Sequence, residues 1–195
     1  MRRQSGAALR VCRMSMLAEM KSYWLAEILG GSEEEFSWYR LRKKCKRSNR
    51  SAYLFWYRVA YVLHFRGNSF WRRRAKFLNE RISRRYNVEI MMGAVVGEGL
   101  WIAHPSGIVV SAYAVIGKNF KIWQNCTIGI KGEDGEKKIS IGDDVKLCAH
   151  SCIIGDHVEI ASGVTIGAMS FVNKSLNSPG IYVTKKSSQF VVAVI

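Results

Sequence analysis

Glu89 in NVEI and His104 in WIAHPSGIVV are the two side chains of this sequence best suited to moving a proton together. A carboxylate beside an imidazole makes a general base: the acid fixes the tautomer and stabilises the imidazolium formed in the reaction. They lie fifteen residues apart. That spacing is useful only if the chain coils with a period close to it. The other histidines carry weaker signals. His64 falls in a helical stretch with no partner in view, His157 sits at an expected corner (GDHVE), and His150 reads as structural. The five cysteines (Cys12, Cys45, Cys126, Cys148 and Cys152) form no CxxC pair and have no zinc spacing with histidine. No metal is expected. Cys126, Cys148 and Cys152 read as small buried apolar residues in a reduced, cytoplasmic protein.

The period is supplied by aliphatic residues that return every sixth position. Ile90, Val96, Ile102 and Ile108 are one series, and Val110, Ile116, Ile122 and Ile128 a second. Ile141, Leu147 and Ile153 follow, then Ile154, Ile160, Ile166 and Val172. Six fits neither the helical period nor a two-faced strand. It fits short strands joined by corners and stacked coil on coil, a parallel β-helix. Small residues follow most of the aliphatic ones, as at Gly97, Gly117, Gly142 and Gly167, and let the chain corner tightly. With three hexads per coil, about 18 residues, Glu89 and His104 come near each other on adjacent coils. The hexads break at Gly129–Ser140 (GIKGEDGEKKIS), whose glycines and charges predict an outward loop able to carry ligand contacts.

Ahead of the repeat the chain is helical and basic. Residues 1–88 hold 21 Lys/Arg against 6 Asp/Glu, whereas residues 89–195 hold 9 of each, so the net charge of +15 lies entirely in the first part. An anionic partner is one reading of this asymmetry, and a solvated basic helical face is the other. Residues 1–15 form a basic tail without the apolar core of a secretory signal. Residues 16–29 predict a helix stopped by Gly30-Gly31. Ser32 followed by Glu33, Glu34 and Glu35 predicts a cap, and the next helix carries Phe36, Trp38, Tyr39 and Leu41 before dissolving into KKCKRSNR. Residues 51–65 are apolar but short for a membrane span and contain Arg58. They read first as a helix packed on other helices. The second reading is an interfacial helix using Tyr53, Trp56, Tyr57 and Tyr61, with peripheral contact to an anionic membrane through residues 51–86. Residues 69–86 predict a further basic helix. The boundaries are therefore a tail to residue 15, a helical domain 16–88, a β-helix of about four coils over 89–175 with its loop at 129–140, and a C-terminal tail 176–195.

The segment HPSGIVVSAYAVIGKNFKIWQNCTIG (His104–Gly129), with the helical piece FWYRVAYVLHFRG before it, resembles the hexapeptide-repeat acyltransferases, most closely the serine acetyltransferases. The resemblance implies a left-handed β-helix, a homotrimer with pairing of trimers left open, and acetyl transfer from acetyl-CoA to a hydroxyl. It implies His104 as the base, with Glu89 where the family has an aspartate. It also implies that Gly129, Ile130, Ala149, Gly167 and Ala168 line a CoA channel between subunits, with Lys185 and Lys186 near a CoA phosphate. Two departures stand out. The family's aspartate before the histidine, which contacts serine's amino group, is here Ala103. The loop's Arg-His pair for serine's carboxylate is replaced by Lys137 and Lys138, suited to an acidic sugar or to CoA phosphates.

Loss of the amino-acid clamp points to a saccharide acceptor, in a surface polysaccharide or its precursor. Serine O-acetylation is the alternative. A non-catalytic basic scaffold that binds membrane or nucleic acid is a third reading, and nucleic acid is the less expected of its partners.

Overall fold

The computed structural model describes residues 14–31, 35–132 and 138–185. Most of the basic tail, the cap expected at Ser32, Lys137, Lys186 and the terminal FVVAVI lie outside these residues. Four helices come first: α1 (Met16–Trp24), α2 (Trp38–Arg47), α3 (Asn49–Arg66) and α4 (Ser69–Tyr86), with a π-helical turn Leu25–Leu29 extending α1. Each starts on a residue that satisfies a free backbone N–H: the hydroxyls of Ser15, Ser37 and Ser48 and the Asn68 carbonyl accept from the N–H three residues on. Gly30 ends the π turn at φ 123°, and Asn87 ends α4 in the left-handed region. Lys44 Nζ donates to the Ile28 and Leu29 carbonyls at 2.8 and 3.1 Å. The basic run KKCKR is therefore helical, not a dissolving end, and α2 begins at Trp38, leaving Phe36 outside it.

α3 is the central helix and packs on α1, α2 and α4. Tyr53, Leu54, Tyr57, Ala60 and Val62 are fully buried. Tyr53, Tyr57 and Tyr61 therefore face the helical core and cannot anchor an interfacial helix; of that quartet only Trp56 is exposed. No described helix is long and apolar enough to cross a membrane.

The expected left-handed parallel β-helix follows. Its first coil carries β1 (Val88–Ile90), β2 (Val95–Val96) and β3 (Trp101–Ile102). The second carries β4 (Ile108–Val110), β5 (Ala114–Ile116) and β6 (Lys121–Ile122), and the third β7 (Thr127–Gly129), β8 (Lys138–Ile141) and β9 (Lys146–Leu147). The fourth carries β10 (Cys152–Ile154), β11 (His157–Ile160) and β12 (Val164–Ile166), and β13 (Phe171–Val172) and β14 (Gly180–Tyr182) continue the stack. Three parallel sheets result: a first face β1-β4-β7-β10-β13, a second β2-β5-β8-β11 and a third β3-β6-β9-β12-β14. The hexad residues fill the prism, all of them buried except Ile154, whose inward place is taken by Ile153. Left-handed residues turn the corners: Gly99, Asn119, Asp144 and Gly163 between the second and third faces, and Gly107, Asn125, His150 and Met169 between the third and first.

Coils stacked at strand spacing leave no room for a Cβ at some of these corners. One added at Gly117 would stand 2.7 Å from the Gly142 carbonyl carbon and 2.8 Å from the Asp143 nitrogen, both backbone atoms of the next coil. Gly117→Ala is expected to lower stability by about 1–3 kcal/mol, an overpacking cost, read as a lower urea midpoint. An unchanged midpoint would mean that the coils separate more easily than this spacing implies.

Candidate active site

His104 stands on the edge where the third face turns into the first. Strand register shows why it protrudes. Ile102 pairs with Ile122, and two positions into the following strand Val110 pairs with Ile128. The first coil thus spends two more residues on this corner than the second. Ala103 N donates to Ile122 O, and Asn125 N to Ser106 O, so the extra pair is His104-Pro105. His104 is exposed, and no described group holds its ring by a hydrogen bond or ion pair.

Glu89 lies on the first face in β1, side chain outward, beside Val109. Ile108 N donates to Asn87 O at 3.4 Å, so the His104 corner runs into β4 directly over the start of β1. Glu89 and His104 therefore share one edge on adjacent coils, but no hydrogen bond or ion pair joins them. From Val88 to Ile108 the chain takes a 20-residue step in place of 18. It sets His104 five residues ahead of Val109, the residue that lies opposite Glu89.

The remaining predicted residues divide between two edges. Ala149, Gly167 and Ala168 stack on the same edge as His104: Met169 N donates to Ala149 O, and Cys148 N to Ile166 O. His104 and Ala168 are three coils apart, about 14 Å at strand spacing. Gly129 and Ile130 lie at the other end of the first face, where the loop leaves β7, and Lys138 opens β8 there with its side chain exposed. Lys185 follows β14 and is exposed. Within one chain, the loop edge and the histidine edge are separated by the width of the first face. His150 is exposed at a left-handed corner and His157 is exposed at the start of β11. Among the described residues, no three His, Cys, Asp or Glu side chains cluster as a metal site.

Beside His104 stands an aromatic wall that the repeat pattern does not announce. Trp101 and Trp123 point outward from adjacent coils with ring centroids 5.3 Å apart, and Arg50 from the start of α3 lies 5.4 Å over Trp101. Gln124, next to Trp123, keeps its side-chain oxygen buried without a partner. The available signal was two tryptophans flanking inward hexad residues, Ile102 and Ile122, where the corresponding position of the third coil is Cys148.

Known proteins share part of this sequence and this fold. A serine acetyltransferase of Staphylococcus epidermidis is 41% identical over 92 residues, 47% of this chain and 43% of the relative. The structure of serine acetyltransferase isoform 3 from Entamoeba histolytica in complex with cysteine superposes with a TM-score of 0.65 at 23% identity, covering 89% of this chain and 60% of that one. A serine acetyltransferase in complex with CoA gives 0.56 at 25% identity, covering 67% of this chain and 52% of that one. No family model matches the chain. The chain spans less than half the length of the Staphylococcus relative. In sequence over about half of its length, and in fold over most of it, this protein is similar to the serine acetyltransferases.

Proposed function

We propose that this chain is an acetyl-CoA-dependent O-acetyltransferase with His104 as general base. The carrying observation is His104 itself, pushed outward by a two-residue insertion at the corner between the third and first faces. His104 takes the proton of the acceptor hydroxyl as its oxygen attacks the thioester carbonyl. The C–S bond then breaks, and the proton passes to the departing CoA sulfur. Glu89, exposed on the same edge one coil below, is the acidic partner of the imidazole. Ala149, Gly167 and Ala168 make the ledge for the pantetheine arm, and the serine acetyltransferase solved with CoA supports acetyl-CoA as donor. Gly129, Ile130, Lys137 and Lys138 belong to this site only if a neighbouring copy presents its loop edge to the histidine edge. A homotrimer, closed about a three-fold axis, supplies that arrangement, and in it Lys185 and Lys186 serve the CoA phosphates.

The relatives' names favour L-serine as acceptor, which makes serine O-acetylation the first reading to test. Ala103 favours the second, a saccharide hydroxyl: with no carboxylate at the position before His104, a serine ammonium there lacks its charge partner. Purified protein given acetyl-CoA with L-serine, and separately with neutral and acidic sugars, should release free CoA with one acceptor class. Release with serine alone selects the first reading and release with sugars alone the second. No release with either would remove the enzymatic proposal.

A further inference from the structure

Opposite in character to the neutral solenoid is the outer surface formed by α2, α3 and α4. α2 carries six Lys/Arg and no acid, and α4 carries seven against one, Glu80. Lys44 is occupied as a helix cap, and Arg40 is not without partners. Arg42, Lys43, Lys46, Arg81, Arg84 and Arg85 are exposed and form no ion pair among the described residues.

Large apolar side chains stand among these charges. Trp56 of α3 is 45% exposed and Phe77 of α4 62%. Phe70 and Trp71 are exposed further along α4, and Trp38 and Tyr39 at the start of α2. Trp56 joins two clefts. On one side it walls a cleft with α2, floored by Leu41, Cys45 and Phe55 and rimmed by Arg42. On the other it walls a cleft with α4, floored by Leu78 and Ile82 and rimmed by Arg81 and Arg85. A single tryptophan therefore sits between two apolar furrows with guanidinium groups at both margins.

We propose that this surface docks on an anionic lipid bilayer. The proposal is independent of the acyl acceptor and of His104. Trp and Phe partition to the boundary of headgroups and acyl chains, while arginines at the same level pair with lipid phosphates and carboxylates. Both parts of the surface find partners at once in such a bilayer. A second copy of the same face would set two unpaired basic arrays against each other. Nucleic acid would satisfy the arginines and leave the furrows between Trp56 and its neighbours without an apolar partner. The docking surface is a composite of three helices, not the tyrosine face of α3, which is buried.

The test is co-sedimentation of the full chain with phosphatidylcholine vesicles with and without about 30% phosphatidylglycerol, in rising salt. Binding to the anionic vesicles alone is expected, weakening as salt rises. Each basic side chain near such a surface contributes about fivefold in partition, so Arg81→Gln/Arg85→Gln should weaken binding by about 25-fold. Phe77→Ser, at an exposed position where folding is not at stake, should weaken binding to the same vesicles while leaving the salt dependence in place. Equal binding to neutral vesicles, no binding to anionic ones, sedimentation without vesicles, or binding unmoved by both variants would each overturn the proposal. So would tighter retention by single-stranded RNA than by anionic vesicles at the same salt.

Discussion

His104→Ala is expected to lower the rate of CoA release by about 10²–10⁴-fold, the usual contribution of a positioned general base, and to leave the melting temperature where it was. The second half of this expectation gives the first its meaning. His104 is exposed, hydrogen-bonds to no described side chain through its ring, and occupies a corner insertion that the next coil does without. Ala103 and Ser106, on either side, make the backbone bonds that hold the corner to the second coil. The imidazole therefore contributes nothing visible to the fold, and a loss of turnover reports on chemistry. His104→Gln, which keeps a polar side chain of similar reach, should be nearly as slow, because an amide cannot accept the proton. A variant that turns over within threefold of the parent would remove His104 as the base.

The hexads foretold the solenoid because inward aliphatic residues and coil stacking are the same fact seen along and across the chain. They also concealed its most informative irregularity. Ile108 continues the series from Ile102 in sequence, yet in space it stacks over Val88, whereas the partner of Ile90 is Val110. Two consecutive series offset by two residues, ending at Ile108 and starting at Val110, were the trace of the His104-Pro105 insertion. Read as an unbroken 18-residue coil, they set Gly107 opposite Glu89, where the register puts Val109. The loop at Gly129–Ser140 announced itself through glycine and charge, but its distance from His104 within one chain depends on which corner it leaves, and no local pattern encodes that. In the helical domain the apolar character of residues 51–65 was plain. Which tyrosines faced inward was not, because helices pack around α3 on most of its sides and the pattern has no single apolar face. Arg58 drew attention only as an obstacle to a membrane span. Its partner lies 31 residues away on a different helix.

Arg58→Met is expected to cost about 3–5 kcal/mol of stability, the penalty for leaving one member of a buried ion pair alone. Arg58 is fully buried and Glu27 nearly so. The guanidinium donates to the Glu27 carboxylate from Nε at 3.0 Å and from Nη2 at 2.5 Å, and to the Val96 and Gly97 carbonyls at 2.9 and 2.6 Å. Glu27 in turn accepts from Leu100 N at 3.1 Å. Two side chains thus tie the helical domain to the first coil of the solenoid, within a cage of Tyr23, Tyr57 and Tyr61. Methionine fills much of the volume but leaves the carboxylate without its counter-charge and both carbonyls without the guanidinium donor. The deficit should depend on pH with a definite sign. Burial already raises the Glu27 carboxyl above its ordinary 4.5, against the opposing pull of Arg58; without Arg58 it rises further. A folded-state pKa raised above the unfolded one gives stability that is fully present below 4.5 and is lost as pH rises through the folded value. Urea midpoints of Arg58→Met should therefore fall further below the parent at pH 8 than at pH 5, and Glu27→Gln in the same chain should recover part of the loss and flatten the dependence. A deficit equal at both pH values would mean that Glu27 is not the group left stranded, and that the helices are held to the solenoid by packing alone.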